Sequence, residues 1–306
     1  MHRAILLMGP TGAGKSDLAL QLAQEFPLEV ISVDSALVYR GMDIGTAKPS
    51  LEERARVPHH LIDILDPALS YSAGEFLRDA QQAMQAVWTR GRVPLLVGGT
   101  MMYFHALTHG ISDLPGRDAA IRADIEARAA RLGWPAMHAE LERVDEQAAR
   151  RIRPGDPQRI QRALEVFHLT GRPISELQQV RRMPLADVQW QEFVLAPMER
   201  AALRERVEVR FNRMMARGFV AEVAALRARG DLSLDHPSMR CVGYRQLWQH
   251  LDGEFGLEEA IRRGVTATRQ LAKRQWTWLR RRGQARWVDP VQSGLVSLMS
   301  AIKPMF

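Results

Sequence analysis

The eight residues Gly9-Pro10-Thr11-Gly12-Ala13-Gly14-Lys15-Ser16 constrain this chain more than any other stretch. They read G-x-x-x-x-G-K-S, follow the apolar run Ala4 to Met8, and open a segment carrying Leu18, Leu20 and Leu22. That order is strand, loop, helix. Glycines let the loop turn its backbone N–H groups inward, where they meet the N-terminus of the next helix. Such a concavity suits a polyanion of about two phosphates. Lys15 adds a point charge, and Ser16 a hydroxyl able to face Mg²⁺ that bridges phosphate oxygens.

Two further strands end where such a loop would have its ligand. Leu28 to Val33 runs into Asp34-Ser35 and then Ala36-Leu37-Val38-Tyr39. In an open α/β sheet ligands bind outside the carboxyl ends of strands, so Asp34 is a candidate site residue. An Asp-Ser pair also caps turns and helices, and both readings stand. Pro94 to Val97 ends in Gly98-Gly99-Thr100. A motor or switch NTPase would end there in an acid that holds Mg²⁺ and helps place water. Two glycines instead clear space for a close backbone approach, and Thr100 supplies a small donor and acceptor. Gly41 to Pro49 reads as a loop over the same edge. His60 to Asp66 reads as a strand, Ser72 to Trp88 as a helix capped by Ser72, and the pair His59-His60 as structural.

From Asp113 the α/β alternation stops and only helical patterns follow, over Asp118 to Leu132, Ala136 to Leu141, Glu146 to Ile152 and Pro157 to Leu169. In Asp156-Pro157-Gln158-Arg159-Ile160-Gln161-Arg162 a cap and a first-turn proline begin a helix with two arginines and two glutamines, donors that suit phosphates and base edges. Phe193 to Pro197 returns the chain to the parent sheet. The fold class expected is α/β: a P-loop-type parallel sheet flanked by helices in residues 1–114 and 190–306, with an all-helical insertion at 115–189. A chain of 306 residues can bury such a core. No run approaches the roughly 18 apolar residues of a membrane span, the N-terminus lacks a secretory apolar region, and Cys241 is the only cysteine. A cytoplasmic monomer that engages no membrane is expected.

The net charge of +7 is unevenly spread. Arg200 to Arg286 holds 19 Lys and Arg against 9 Asp and Glu, leaving the remainder slightly acidic. Glu199 to Arg217 reads as a long helix with Arg206, Arg210, Arg213 and Arg217 on one stripe. Arg262 to Arg286 has nine basic residues and no acid, interleaved with Trp276 and Trp278. A basic half joined to a phosphate-binding half points to a second, larger polyanion, or else to a solvated helix face with no ligand, and basic with aromatic side chains suits single-stranded nucleic acid. Of Trp276, Trp278 and Trp287, at least two are expected to pack in the core.

The blocks GPTGAGKS at 9–16, DSALVYRGMDIGTAKP at 34–49, LLVGGTMMY at 95–103, DPQRIQRALEV at 156–166, RCVGYRQLW at 240–248 and ATRQLAKRQWTWLR at 267–280, in this order, resemble the bacterial tRNA dimethylallyltransferases. The likeness covers residues 4 to about 290. It implies transfer of a dimethylallyl group from dimethylallyl diphosphate to N6 of an adenine next to the anticodon, with release of diphosphate. It implies Asp34 as general base, Arg210 as the diphosphate arginine, and the Thr11 hydroxyl near the bridging oxygen. Gly9, Pro10, Thr11, Gly12, Ala13, Gly14, Lys15 and Ser16 would hold the diphosphate, with Mg²⁺ reached through Ser16. The tRNA anticodon stem-loop would touch Asp34, Ser35, Ala36, Leu37, Thr100, Arg122, Gln158, Arg159, Ile160, Gln161 and Arg162. It would also touch Arg240, Cys241, Val242, Gly243, Tyr244, Arg245, Lys273, Arg274, Gln275, Trp276, Thr277, Trp278, Leu279 and Arg280. The stretch 178–191 matches no block. A P-loop small-molecule kinase, a prenyltransferase for free adenine nucleotides, and an RNA-binding protein with a vestigial loop are the competing readings.

Overall fold

A computed structural model of the chain describes residues 2–306, apart from 180, 183, 184, 186 and 291–293. In chain order the first elements are β1 (His2–Met8), α1 (Lys15–Glu25), β2 (Leu28–Val33), α2 (Leu51–Arg56), β3 (His59–His60), α3 (Ala73–Thr89), β4 (Val93–Gly98) and α4 (Met101–His109). Then come β5 (Ile111–Ser112), α5 (Ala119–Leu132), α6 (Trp134–Val144), α7 (Glu146–Arg151), α8 (Pro157–Thr170), α9 (Ile174–Leu177) and β6 (Arg181–Arg182). The remainder is β7 (Val188–Leu195), α10 (Arg200–Ala216), α11 (Phe219–Ala228), α12 (Tyr244–Leu251), α13 (Leu257–Leu279), β8 (Arg286–Val288) and α14 (Gly294–Ile302). These divide into two compact units, Met1–Ala106 with Leu185–Phe306, and Leu107–Pro184.

Six strands of the first unit form one parallel sheet in the order β3-β2-β4-β1-β7-β8. Every residue of β2 is buried, the mark of a parallel strand covered on both faces. Two of its residues are nonetheless polar. Glu29 is held by Arg90 (2.6 and 2.9 Å) and by His60 Nε2 (2.7 Å), which gives the expected structural role to one histidine of the pair; His59 Nδ1 bonds Val57 O at 2.7 Å. Register brings Gly98 opposite both Met8 and Val33, and Met8 opposite Val194. The carboxyl ends of four strands therefore share one edge. Under it α1 and α14 close a core of Ile5, Leu7, Leu22, Leu28, Leu195, Leu298 and Ile302. Beside it α10 to α13 build a second core around Phe211, Phe219, Tyr244 and Leu247, joined by Val38, Tyr39 and Met42.

Sequence patterning holds for the long elements and fails for short ones. Ser72 caps α3 through a capping box with Glu75, and Asp156 accepts from Arg159 N at the head of α8. The strand expected over His60 to Asp66 stops at His60, because Leu61 (φ 61°) and Asp63 (φ 57°) turn left-handed. Asp63 is thereby drawn into ion pairs with buried Lys48 and with Arg54 at 2.7 Å. After Asp113 the chain is not wholly helical. Arg181–Arg182 pairs antiparallel with Ile111–Ser112, so the helical unit begins before 115, and it ends before 189 because Val188 opens β7. Of the unmatched stretch 178–191, residues 180, 183, 184 and 186 lie outside the described residues.

Inside the helical unit Glu165 is fully buried. It accepts from Arg122 at 2.8 and 3.0 Å, Arg162 at 2.8 Å and Asp118 N at 2.9 Å. Burial pushes this carboxyl up, but the bonds from Arg122, Arg162 and Asp118 outweigh it and leave the group below the usual carboxylate range. Its stabilising share is thus present above the unfolded-state pKa and is lost as pH falls through the lower folded value. Glu165→Ala is expected to cost about 3 kcal/mol, since two guanidinium groups lose their shared anion. Urea unfolding of the parent and variant across pH 3 to 7 checks both size and sign, because the difference shrinks toward acid.

Candidate active site

The loop after β1 takes the shape its sequence demands. Gly14 adopts φ 91° at the head of α1, a conformation that would strain any other residue. Lys15 follows as the first helical residue, and its Nζ donates to Pro10 O at 2.9 Å. The Lys15 pKa is lowered to about 7, chiefly by burial and then by neighbouring Arg210, with Asp34 opposing both. Asp34 also acts on Arg210. Burial holds this half-buried guanidinium below the ordinary arginine value, while Asp34 and then Asp17 oppose that. Its Nη2 donates to Thr46 O at 3.2 Å. Lys15 from the loop, Asp34 from the end of β2 and Arg210 from α10 thus converge within one electrostatic neighbourhood.

Asp34 takes the turn-capping role that its Asp-Ser pair suggested. Oδ1 accepts from Ala36 N at 2.8 Å and shapes the turn 35–38, while Oδ2 accepts no hydrogen bond from a described residue. The carboxylate also acts on Cys241, whose thiol is pushed up to about 12, chiefly by burial and secondarily by this charge. Ser35 N donates to Thr100 Oγ1 at 3.0 Å, tying the end of β2 to the end of β4. Loop 41–49 is pinned by a contact the sequence did not announce. Glu222 of α11 accepts from the backbone N–H groups of Asp43, Ile44 and Gly45 at 2.7 to 3.0 Å, and from Tyr244 OH at 2.6 Å. It thereby supports the segment that receives Arg210.

The space expected beside Gly98 and Gly99 is filled from within the protein. A Cβ on Gly98 would lie 2.0 Å from Val33 O, and one on Gly99 would lie 2.4 Å from Gln275 Nε2. The first serves close strand packing and the second a helix side chain. On the other flank Arg206 Nη2 lies 3.1 Å from where a Gly14 Cβ would stand, placing a third cation by the loop. Only the stripe Arg206, Arg210, Arg213, Arg217 hinted at it. Among the described residues no three of His, Cys, Asp and Glu gather as a metal site. Exposed Ser16 at the head of α1 offers one hard oxygen, a donor that fits Mg²⁺ brought in on phosphate oxygens rather than held in a protein cage.

The residues implied for RNA divide by helical period. Ile160 and Gln161 turn their side chains into the interior of the helical unit, and Tyr244, Gln275 and Leu279, with Gly243, are buried within the sheet-bearing unit. They pack the helices; Gln161, for instance, donates to Glu126 at 2.8 Å. Arg122 and Arg162 are committed to Glu165. The outward faces carry Gln158 and Arg159 on α8, Arg240 and Arg245 around the start of α12, and Lys273, Arg274, Thr277 and Trp278 on α13, with Arg280 just beyond it. Half-buried Ala36 and Leu37 lie in the turn after β2, half-buried Cys241 and Val242 just before α12, and Ser35 is exposed. The expectation that two of three tryptophans are core is overturned. Trp278 is 39 % and Trp287 42 % exposed, while half-buried Trp276 sets its ring 5.6 Å from that of Trp287. Placement on the last turn of α13 and on edge strand β8 leaves those indoles no core to enter.

Comparison with known proteins places this geometry. A family model described as IPP transferase matches residues 37–282, and one described as isopentenyl transferase matches residues 2–62. The full-length tRNA isopentenylpyrophosphate transferase of Bacillus halodurans is 35% identical, with a TM-score of 0.72 over 99% of this chain and 96% of that one. The tRNA delta(2)-isopentenylpyrophosphate transferase of Staphylococcus epidermidis is 29% identical, with a TM-score of 0.70 over 100% and 98%. A eukaryotic dimethylallyltransferase acting on tRNA is 28% identical, with a TM-score of 0.83 over 99% of this chain and 78% of that chain. With a G-x-x-x-x-G-K-S loop, a carboxylate at a strand end and a half-buried arginine of α10 by one edge of a parallel sheet, and with matches over nearly its whole length, this chain belongs to the IPP transferase family.

Proposed function

We propose that this enzyme transfers a dimethylallyl group from dimethylallyl diphosphate to N6 of an adenine next to the anticodon of a tRNA. The observation that carries the reading is the convergence of Lys15 and Arg210 on Asp34 at the strand edge. As the C–O bond to the prenyl carbon breaks, the electron pair stays on the diphosphate oxygen, where Lys15, the loop N–H groups and Arg210 meet the new charge. The adenine N6 forms the new N–C bond. Its lone pair is delocalised, but its proton becomes acidic as the bond forms, and Asp34 accepts it. The Thr11 hydroxyl stands by the bridging oxygen. Mg²⁺, held through Ser16 and the substrate, would supply charge neutralisation at the diphosphate. The target base leaves the anticodon-loop stack to enter this edge, a cost of a few kcal/mol that is smaller in a loop than in a duplex. The outward basic faces of α12 and α13 carry the RNA backbone. A cytoplasmic monomer completes the reading; among the described residues no helix is long and apolar enough to cross a membrane.

Incubating the protein with labelled dimethylallyl diphosphate and either tRNA or AMP tests it. Label in tRNA alone is the expected result, whereas label in AMP, or ADP release from ATP with a small acceptor and unmodified tRNA, would replace the proposal. Salt gives a second expected outcome. If about six phosphates are contacted, tRNA binding weakens roughly 10²- to 10³-fold between 50 and 200 mM salt. Filter binding across that range checks it, and a flat response contradicts an electrostatic footprint.

A further inference from the structure

Gln275 sits on α13 with only 9 % of its surface exposed, and both ends of its amide are engaged. Oε1 accepts the Thr11 N–H at 2.9 Å, and Nε2 donates to Gly99 O at 2.9 Å. One side chain therefore bridges the loop after β1 to the turn after β4. The amide suits this because it offers an acceptor and a donor on one rigid plane, and either backbone group would otherwise be a polar group without its partner. The tightness of the fit is recorded at Gly99, where a Cβ would lie 2.4 Å from Nε2.

The bond also changes how the loop meets a ligand. With its N–H turned toward Gln275, Thr11 gives the cradle no amide, so an anion there is held by groups further along the loop. The backbone at Thr11, and with it the direction of its hydroxyl, is set by α13 rather than by the ligand. Without the bridge, Thr11 and neighbouring Gly12 would have to be ordered when the ligand binds, and an error of about 1 Å at a reacting group can cost 10²-fold in rate.

We propose that Gln275 is a positioning residue for the diphosphate loop, holding Thr11 against the Gly98-Gly99 turn, rather than an RNA contact. This rests on the reading given under Proposed function and deepens it. RNA would be met by the exposed side chains of the same helix, Lys273, Arg274, Thr277 and Trp278.

Two variants test the idea. Gln275→Met keeps length and bulk but loses both hydrogen bonds. Turnover is expected to fall about 10- to 100-fold, and the affinity for inorganic diphosphate measured by calorimetry at least about fivefold, with the tRNA Kd changed less than about twofold. Gln275→Glu keeps an acceptor for Thr11 but turns a carboxylate oxygen on Gly99 O; once protonated it is again acceptor and donor. Its turnover relative to the parent is therefore expected to rise as pH falls, while that of Gln275→Met stays flat. Far-UV circular dichroism confirms that each variant is folded, and Gly99→Ala, which displaces Nε2, should reproduce the diphosphate defect should Gln275→Met not fold. Weakened tRNA binding with diphosphate affinity unchanged, or a pH-independent ratio for Gln275→Glu, overturns the proposal. A parent that binds diphosphate but leaves tRNA unlabelled overturns the reaction instead, and the calorimetric comparison still decides the role of Gln275.

Discussion

Asp34→Asn and Asp34→Ala are each expected to lower turnover about 10²- to 10⁴-fold while tRNA affinity stays nearly unchanged. Asp34 stands at the carboxyl end of β2, with one oxygen spent on Ala36 N and the other unclaimed by any described donor. Its charge is felt by Lys15, Arg210 and Cys241, which puts it at the centre of the site rather than at its rim. A base that acts only as the N–C bond forms contributes to the transition state and little to binding, so the loss falls on kcat. The two variants separate chemistry from shape. Asn keeps the acceptor that shapes the turn 35–38, and Ala loses it. Single-turnover transfer of labelled prenyl to tRNA, with filter binding alongside, checks the prediction. Equal loss of binding and turnover, or unchanged turnover, removes Asp34 from the role of base.

Arg210→Gln is expected to cost about 10²- to 10³-fold in turnover, the effect of deleting one preorganised group aimed at developing negative charge. The argument is again electrostatic. Two basic groups, Lys15 and Arg210, are held in a part-buried place where burial depresses both and Arg210 depresses Lys15 further. In the ligand-free protein that arrangement is unfavourable, and an incoming diphosphate relieves it. Arg210→Gln should therefore leave the thermal midpoint of the free protein unchanged or raised, and should shrink the rise produced by inorganic diphosphate. Scanning calorimetry with and without diphosphate reads both. A lowered midpoint in the free protein would make Arg210 a scaffold residue, anchored by its bond to Thr46 O.

Local chemistry explains why so much of the fold was legible. Strand, glycine loop and helix between Ala4 and Leu22 are neighbours in sequence, as are Ser72 with Glu75 and Asp156 with Arg159, so the residues that shape each element lie within it. Two- and three-residue strands lack a period to detect, which is why β3 ended early and β5, β6 and β8 escaped notice. The exposed tryptophans follow from a related reason: an indole's size favours the core in general, but its depth depends on whether another element covers it.

Residues 9–16, Asp34 and the basic stripe on α10 were set by the chain alone, because a phosphate loop, an acid ending a strand and a 3.6-residue period are all short-range patterns. Tertiary structure turns Arg210 of that stripe, the arginine the resemblance implied, toward Lys15 and Asp34. It decided that Glu222 grips a loop 177 to 179 residues away, and that Gln275 spans 264 residues to take the Thr11 N–H. Hydrogen bonds across such separations depend on how helices pack against the sheet, and packing is fixed only when all the buried surfaces are matched at once.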